Sequence, residues 1–148
     1  MITYKNGDVL SDEIETPRII PHVCNNAGGW GAGFVLALSR KWKEPEIAYR
    51  SLGSYILGEV QFVWVHSGIV VANMIAQHGY GAHDRKIPLD YGALGNCMCK
   101  VGDWQHNDLQ FSITAPRFGA GLAGGKWGEI ETMINSIWAD KIVEIYDL

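Results

Sequence analysis

The sequence is short of cysteine, of positive charge and of long hydrophobic runs, and each shortage excludes a class of protein. Its three cysteines are an odd number without a CxxC pair, which favours reduced thiols in a reducing compartment. The chain has twelve basic and sixteen acidic residues, which gives a formal net charge of −4. This charge argues against a protein that binds nucleic acid by broad neutralisation of its phosphates. No apolar run is long enough to span a membrane, and the first ten residues lack the features of a signal peptide. We therefore expect a cytoplasmic protein with no membrane partner.

The composition that remains is ordinary for a globular domain. The chain has 148 residues, of which 47% are hydrophobic and 19% are charged, and it contains no repeat or low-complexity stretch. A chain of this length is normally one domain, so we treat residues 1–148 as a single unit.

Strand-like and helix-like segments alternate along the chain. Short β-branched or apolar runs predict strands at residues 2–4, 18–24, 60–65, 70–76, 111–115 and 142–146. Helical spacing predicts helices at residues 34–43, from Pro88 to about Val101, and at residues 127–138. Alternating strands and helices predict an α/β sandwich, in which ligands bind beyond the carboxyl ends of the strands.

Two glycine-rich turns, each between a predicted strand and a predicted helix, are the most informative feature. Residues 28–33 read GGWGAG, and residues 119–125 read GAGLAGG. Glycine allows a tight bend and a close approach to a ligand, and a helix N-terminus holds phosphate through its free N–H groups. Two such turns suit a diphosphate, although either turn alone fits an ordinary strand-to-helix loop better.

Polar residues at three positions could contact a ligand. Asp8 could accept a hydrogen bond from an exocyclic amine such as that of adenine, although local sequence favours a turn or cap role. His22 could be a buried core histidine, a general base or a group that positions water. Asn25 offers donors and an acceptor that suit sugar hydroxyls, whereas Asn26 fits a turn.

The segment after the apolar strand, QHGYGAHD at residues 77–84, could face the same ligand. Its residues His78, His83 and Asp84 superficially suggest metal ligands. They have no recognised ligand spacing, and a metal site needs three or four convergent groups. We therefore expect neither a metal nor a cofactor.

Five motifs in order along the chain resemble the macro domains, a family that binds ADP-ribose. They are NGDVL at residues 6–10, HVCNNAGGWGAGF at 22–34, VANMIAQHGYG at 71–81, PRFGAGLAGGKW at 116–127 and VEIYDL at 143–148. The first glycine turn is most similar to the yeast-type ADP-ribose 1''-phosphate phosphatases. The PRFGAGL and IYDL segments are similar to the branch that removes ADP-ribose from glutamate. The resemblance implies a three-layer α/β/α sandwich with a mixed, mostly parallel sheet.

The resemblance also implies roles for individual residues. Asp8 and Val9 would bind adenine, Tyr146 would lie near the adenine ring, and Asn25 would hold the distal ribose. His22 matches a histidine of the phosphatase branch and would position or activate water. The residues that would wrap the diphosphate are Gly31, Ala32 and Gly33 on one side and Gly119, Ala120, Gly121, Leu122 and Ala123 on the other.

Two positions depart from the glutamate-releasing branch, which has a lysine after the central strand and an aspartate at the end of the PRxGxGL turn. This chain has Gln77 and Ala123 there, so it lacks both the amine and the carboxylate. The sequence therefore predicts hydrolysis of ADP-ribose 1''-phosphate. The alternatives are an ADP-ribose reader without turnover and a de-ADP-ribosylase that acts on modified macromolecules through unfamiliar residues.

Overall fold

Six strands form one mixed sheet in this computed structural model, which describes residues 2–80 and 87–148. The strands are β1 (Ile2–Asn6), β2 (Arg18–Asn25), β3 (Val60–His66), β4 (Ile69–Gln77), β5 (Ser112–Ala115) and β6 (Val143–Asp147). The helices are α1 (Phe34–Lys41), α2 (Glu44–Arg50), α3 (Tyr91–Asp103) and α4 (Trp127–Ile137). The strand order is β1-β6-β5-β2-β4-β3, and all pairs are parallel except the antiparallel β3–β4 hairpin.

Strand β4 explains why both faces of the sheet are covered. All nine of its residues are buried, and successive side chains of a strand point to opposite faces. Val70 and Met74 pack in a core with residues of α3 and α4, whereas Val71 and Ile75 pack in a second core with residues of α1 and α2. The predicted three-layer α/β/α sandwich with a mostly parallel sheet is therefore confirmed.

Every predicted strand is present with ends within two residues, but the helix boundaries differ more. The helix predicted to run to Lys43 ends at Lys41. A separate helix, α2, follows because Trp42 is extended and Pro45 starts a new first turn without needing an N–H donor. Helix α3 begins at Tyr91 rather than at Pro88, because the Asp90 side chain caps it by accepting from the backbone N–H of Ala93 at 2.9 Å.

The carboxyl ends of four parallel strands lie along one edge of the sheet. They are Asn25 of β2, Gln77 of β4, Ala115 of β5 and Asp147 of β6. Strands β2 and β5 are neighbours, so the glycine turns that follow them meet at this edge. Within residues 2–80 and 87–148, no helix is long and apolar enough to cross a membrane.

Candidate functional site

A cleft of about 730 Å³ opens at this edge, between the two glycine turns. Small-molecule sites commonly have volumes of about 300–1,000 Å³, so the cleft is large enough for a nucleotide-sized ligand. The predicted site residues that line it are His22, Asn25, Gly31, Ala32, Gly33, Gly119, Gly121, Leu122 and Ala123. The sheet thus brings together residues from two segments that are far apart in the sequence.

The two turns approach each other at Gly33 and Leu122. Gly33 has a φ of +80°, a backbone angle that residues other than glycine rarely adopt. A Cβ atom at this position would lie 3.3 Å from Cδ1 of Leu122. By contrast, a Cβ atom on Gly31 or Gly121 would meet nothing within 4 Å. Open space therefore borders both turns where they line the cleft.

The first turn leads directly into the N-terminus of α1. Gly33 caps this helix without any side-chain hydrogen bond. Within the described ranges, the backbone N–H groups of Ala32 and Gly33 have no hydrogen-bond partner. Uncapped N–H groups and the positive end of the helix dipole together form an anion-binding arrangement.

The second turn differs because its helix stands back from the cleft. The N–H groups of Gly124 and Gly125 donate to the carbonyls of Gly121 and Gly119 at 3.0 and 2.8 Å. Helix α4 begins at Trp127, and none of the cleft-lining residues belongs to it. The second turn can therefore offer backbone N–H groups, but only the first turn adds a helix N-terminus.

The charged residues that line the cleft are both arginines. Arg50 pairs with Glu46 at 2.9 Å, and Arg117 forms a two-pronged ion pair with Asp147 at 2.7 and 3.0 Å. In the part of the chain that the structure describes, no Asp or Glu lines the cleft. Among the described lining residues, an anionic ligand would therefore meet two arginines and no carboxylate.

His22 lies in the cleft lining yet is only 2% exposed. Its Nε2 lies 2.6 Å from Oδ1 of Asn73, and its ring contacts the rings of Trp30 and Phe34. Burial lowers the pKa of His22 to about 4, so the ring is neutral at physiological pH. Its Nδ1 is buried and has no hydrogen-bond partner in the described structure. A neutral imidazole can accept a proton or orient water.

Asn25 shapes the first turn through every polar atom of its side chain. Its Oδ1 accepts from the N–H groups of Ala27 and Gly29 at 2.9 and 3.0 Å. The hydroxyl of Tyr49 donates between the backbone carbonyl oxygen of Asn25 at 2.5 Å and Oδ1 at 2.9 Å. Its Nδ2 donates to the carbonyl of Gly29 at 2.9 Å. The second hydrogen on Nδ2 remains for a ligand such as a sugar hydroxyl.

The residues predicted to bind adenine lie outside the cleft lining. Asp8 Oδ1 accepts from the N–H of Leu10 at 2.9 Å, which is the local turn role that its sequence favoured. The buried Val9 accepts at its carbonyl from Arg18. Asp8 and Tyr146 line a separate pocket of about 680 Å³ at the β1–β6 end of the sheet.

Ala120 is the one residue of the predicted diphosphate-binding turns that is absent from the cleft lining in the described structure. It packs instead against the core that α3 and α4 cover. Its small side chain therefore has a packing role in the second turn.

Sequence reasoning did not single out Asn73 or Tyr49, which hold His22 and Asn25. Asn73 is fully buried in the apolar strand β4, and a buried polar side chain must find partners. Its position in that run was therefore an available signal. Tyr49 lies on α2, which sequence patterns did not separate from α1, so its hydroxyl had no predicted place.

The residues that superficially suggested a metal site do not form a cluster of ligands in the described structure. His78 Nε2 lies 2.8 Å from Oδ2 of Asp90, the residue that caps α3. His83 and Asp84 lie outside the described residues. Across residues 2–80 and 87–148, no group of three His, Cys, Asp or Glu side chains is placed to hold a metal ion.

Cys24 also lines the cleft, where a thiol could be a nucleophile. Burial raises the pKa of this thiol well above its ordinary value, so it stays protonated. A protonated, buried thiol is a poor nucleophile. His22 is therefore the better candidate for chemistry on this strand.

Comparison with known proteins identifies relatives that align with nearly the whole chain. No protein-family model matches the chain. An ADP-ribose 1''-phosphate phosphatase of Saccharomyces cerevisiae is 23% identical and aligns over 99% of this chain and 98% of its own. A solved macrodomain protein from Streptomyces coelicolor is 40% identical, with a TM-score of 0.83 over 100% of this chain and 99% of its own. A solved Bacteroides thetaiotaomicron protein of unknown function is 43% identical, with a TM-score of 0.89 over 100% and 98%.

Proposed function

This chain belongs to the macrodomain family, and on that premise we propose that it binds ADP-ribose and hydrolyses ADP-ribose 1''-phosphate to ADP-ribose and phosphate. The yeast relative that bears this activity in its name aligns with almost the whole chain. The first glycine turn, with His22 at its start, is the segment most similar to that branch of the family.

The observation that carries the proposal is the composition of the cleft. Unpaired backbone N–H groups of the first turn lie beside a buried, neutral histidine, and no carboxylate lines the space among the described residues. This combination suits a phosphate-bearing ligand, because backbone donors hold its charge and an uncharged imidazole accepts a proton.

The ligand would extend along the carboxyl edge of the sheet. The diphosphate would lie between the two glycine turns, and the distal ribose would contact Asn25. The adenine end would point towards β6 and β1, where Asp8 and Tyr146 lie. The ion pair between Arg117 and Asp147 stands between these two regions at the ends of β5 and β6.

The chemistry needs one activated water. Its oxygen would form a bond to phosphorus, and the bond between phosphorus and the anomeric oxygen would break, so that this oxygen takes a proton. His22 would orient the water or accept its proton, and N–H groups of the turns would stabilise charge on the phosphate oxygens.

Two measurements test binding and turnover separately. Calorimetry with ADP-ribose should give about 1:1 binding at micromolar affinity, roughly −7 to −9 kcal/mol, and AMP should bind much more weakly. Phosphate release from ADP-ribose 1''-phosphate should fall about 100-fold or more in His22→Ala, while ADP-ribose affinity changes little. The exposed His66 is the matched control, so His66→Ala should keep full activity.

The outcomes separate the proposal from its alternatives. Binding without phosphate release would leave an ADP-ribose reader. Release of ADP-ribose from a modified protein or nucleic acid, without action on the 1''-phosphate, would make the chain a de-ADP-ribosylase. No binding at millimolar ADP-ribose would refute the proposal as a whole.

A further inference from the structure

We propose that Asn73 holds His22 in the tautomer protonated at Nε2, so that His22 Nδ1 is a hydrogen-bond acceptor within the cleft lining. Asn73 is then a positioning residue that acts through His22. Only the kinetic consequence rests on the proposed phosphatase function, because the tautomer itself follows from the hydrogen bonds of three side chains and two backbone carbonyls.

The first step fixes the amide of Gln61 on β3. Gln61 Nε2 lies 2.8 Å from the backbone carbonyl oxygen of Ala48 on α2. A carbonyl oxygen can only accept, so the nitrogen of this amide must face Ala48. The oxygen Oε1 therefore faces the other way, where it lies 3.1 Å from Nδ2 of Asn73.

The second step fixes the amide of Asn73. Its Nδ2 lies 3.1 Å from Oε1 of Gln61 and 3.1 Å from the carbonyl oxygen of Pro45 on α2. Both of these partners accept, and the two hydrogens on Nδ2 satisfy both of them. Its oxygen Oδ1 must therefore face His22.

The third step fixes the proton on His22. Asn73 Oδ1 can only accept, and it lies 2.6 Å from Nε2 of His22, whereas the other polar contact of Nε2, Sγ of Cys24, is 4.0 Å away. The much shorter contact decides the donor, so Nε2 must carry the hydrogen. A neutral imidazole carries one such hydrogen, and burial keeps His22 neutral by lowering its pKa to about 4. Nδ1 is therefore left with a lone pair.

Nδ1, which carries this lone pair, is the one ring nitrogen of His22 without a hydrogen-bond partner in the described structure. The rings of Trp30 and Phe34 pack against the imidazole, with their centroids 5.5 and 5.7 Å from its own, and the residue lines the cleft. An unpaired buried acceptor costs stability, so its retention is explained if a ligand or water donates to it. The opposite tautomer would present an N–H donor instead and could not accept a proton from water.

Nitrogen-15 NMR of labelled histidine tests the assignment directly. At neutral pH the unliganded protein should show His22 with a protonated Nε2 and an unprotonated Nδ1. Addition of ADP-ribose should keep this tautomer and shift the Nδ1 resonance if a ligand group or water donates to it. A His22 signal with the proton on Nδ1, or with both nitrogens protonated, would overturn the inference without any variant being needed.

Two substitutions of Asn73 separate positioning from simple packing. Asn73→Leu removes the acceptor at similar volume, so His22 should lose its single tautomer, and kcat for phosphate release should fall about 10-fold or more while KM stays within about 2-fold. Asn73→Asp removes the two hydrogens that Pro45 and Gln61 accept, so it should be less stable than wild type. It keeps an acceptor oxygen for Nε2 of His22, so it should retain the Nε2-protonated signal with higher activity than the leucine variant. A folded leucine variant with an unchanged tautomer would refute the role of Asn73.

The kinetic and spectroscopic experiments can refute the phosphatase proposal and the tautomer assignment separately. If the wild-type spectrum shows the assigned tautomer but phosphate is not released, the phosphatase proposal is wrong and the role of Asn73 stands. If phosphate is released while His22 carries its proton on Nδ1, the reverse holds.

Discussion

At the scale of the residue, single side-chain amides organise the cleft. Asn25 ties two backbone N–H groups and one carbonyl of the first turn to the hydroxyl of Tyr49. Asn26, its neighbour, makes one such contact, since its Oδ1 accepts from the N–H of Gly79 at 3.0 Å. The two adjacent asparagines therefore differ in how much of the turn depends on them.

Asn25→Ala should destabilise the protein by about 2–3 kcal/mol, because several turn donors lose their acceptor together. Asn26→Ala is the matched control and should cost about 1 kcal/mol, since one donor is affected. Urea denaturation measures both free energies of unfolding. Equal losses in the two variants would mean that Asn25 does not organise the turn, and its effect on ligand binding would then reflect sugar contact alone.

The burial of His22 gives stability a defined dependence on pH. The pKa of His22 falls from 6.5 to about 4 on folding, so the unfolded chain takes up the proton first as pH falls. The stabilisation is complete above pH 6.5 and is lost as pH falls towards 4, by about 3 kcal/mol in all.

Carboxylates elsewhere in the chain also titrate as pH falls towards 4. Comparison of wild type with His22→Gln separates the contribution of His22 to the unfolding free energy from theirs. The difference in unfolding free energy between the two proteins should change between neutral pH and pH 4, with the wild type losing more. Parallel curves for wild type and His22→Gln would show that His22 is not held neutral by burial.

At the scale of the element, the strand–turn–helix unit formed by β2, residues 26–33 and α1 carries the backbone N–H groups that we propose as phosphate donors. Helix α1 has no side-chain cap, and its cap residue Gly33 needs a positive φ. A substitution at Gly33 therefore changes backbone strain and ligand space together. Gly121 in the opposite turn has no left-handed φ and no neighbour within 4 Å, so a side chain there tests ligand space without strain.

Gly121→Val should leave the fold intact and weaken ADP-ribose binding by about 100-fold, or about 2.7 kcal/mol, because its branched side chain would occupy diphosphate space. Gly53 is the matched control: it also has open space around it and lies outside the residues that line the cleft. Calorimetry on both variants decides the matter. If Gly121→Val binds as tightly as Gly53→Val, the second turn does not contact the ligand.

For the whole molecule, the order of strands in the sheet creates the site. β2 and β5 are adjacent although α1, α2, β3, β4 and α3 lie between them in the chain. Any ligand held by both turns therefore links parts of the fold that are distant in sequence. A ligand that binds the native state and not the unfolded chain raises global stability by mass action.

ADP-ribose at 100 times its dissociation constant should therefore raise the unfolding free energy of the whole chain by about 2.7 kcal/mol. AMP at the same concentration should raise it far less, because it leaves the second phosphate and the distal ribose contacts unused. Denaturant titrations in the presence of each ligand measure the difference, with Gly121→Val as the variant that should lose the response. An equal response to both ligands would place all recognition at the adenylate end.

The sequence by itself determined the elements, the glycine turns and the family resemblance, because these depend on local patterns. The run of β4, apolar at all but two positions and rich in β-branched residues, favoured a buried strand, and each glycine turn follows a strand within a few residues. The split between α1 and α2 was not determined in this way, since the residues around Trp42 keep helical spacing while the backbone there is extended.

The tertiary structure alone decided which of these features form one site. The meeting of Gly33 with Leu122 depends on the pairing of β2 with β5, and the pairing of His22 with Asn73 depends on the register of β2 against β4. Asp8 lies outside the cleft because it follows β1, which is the outermost strand on one side of the sheet. Strand order and register arise from contacts between segments far apart in the chain, and local sequence patterns carry no information about such contacts.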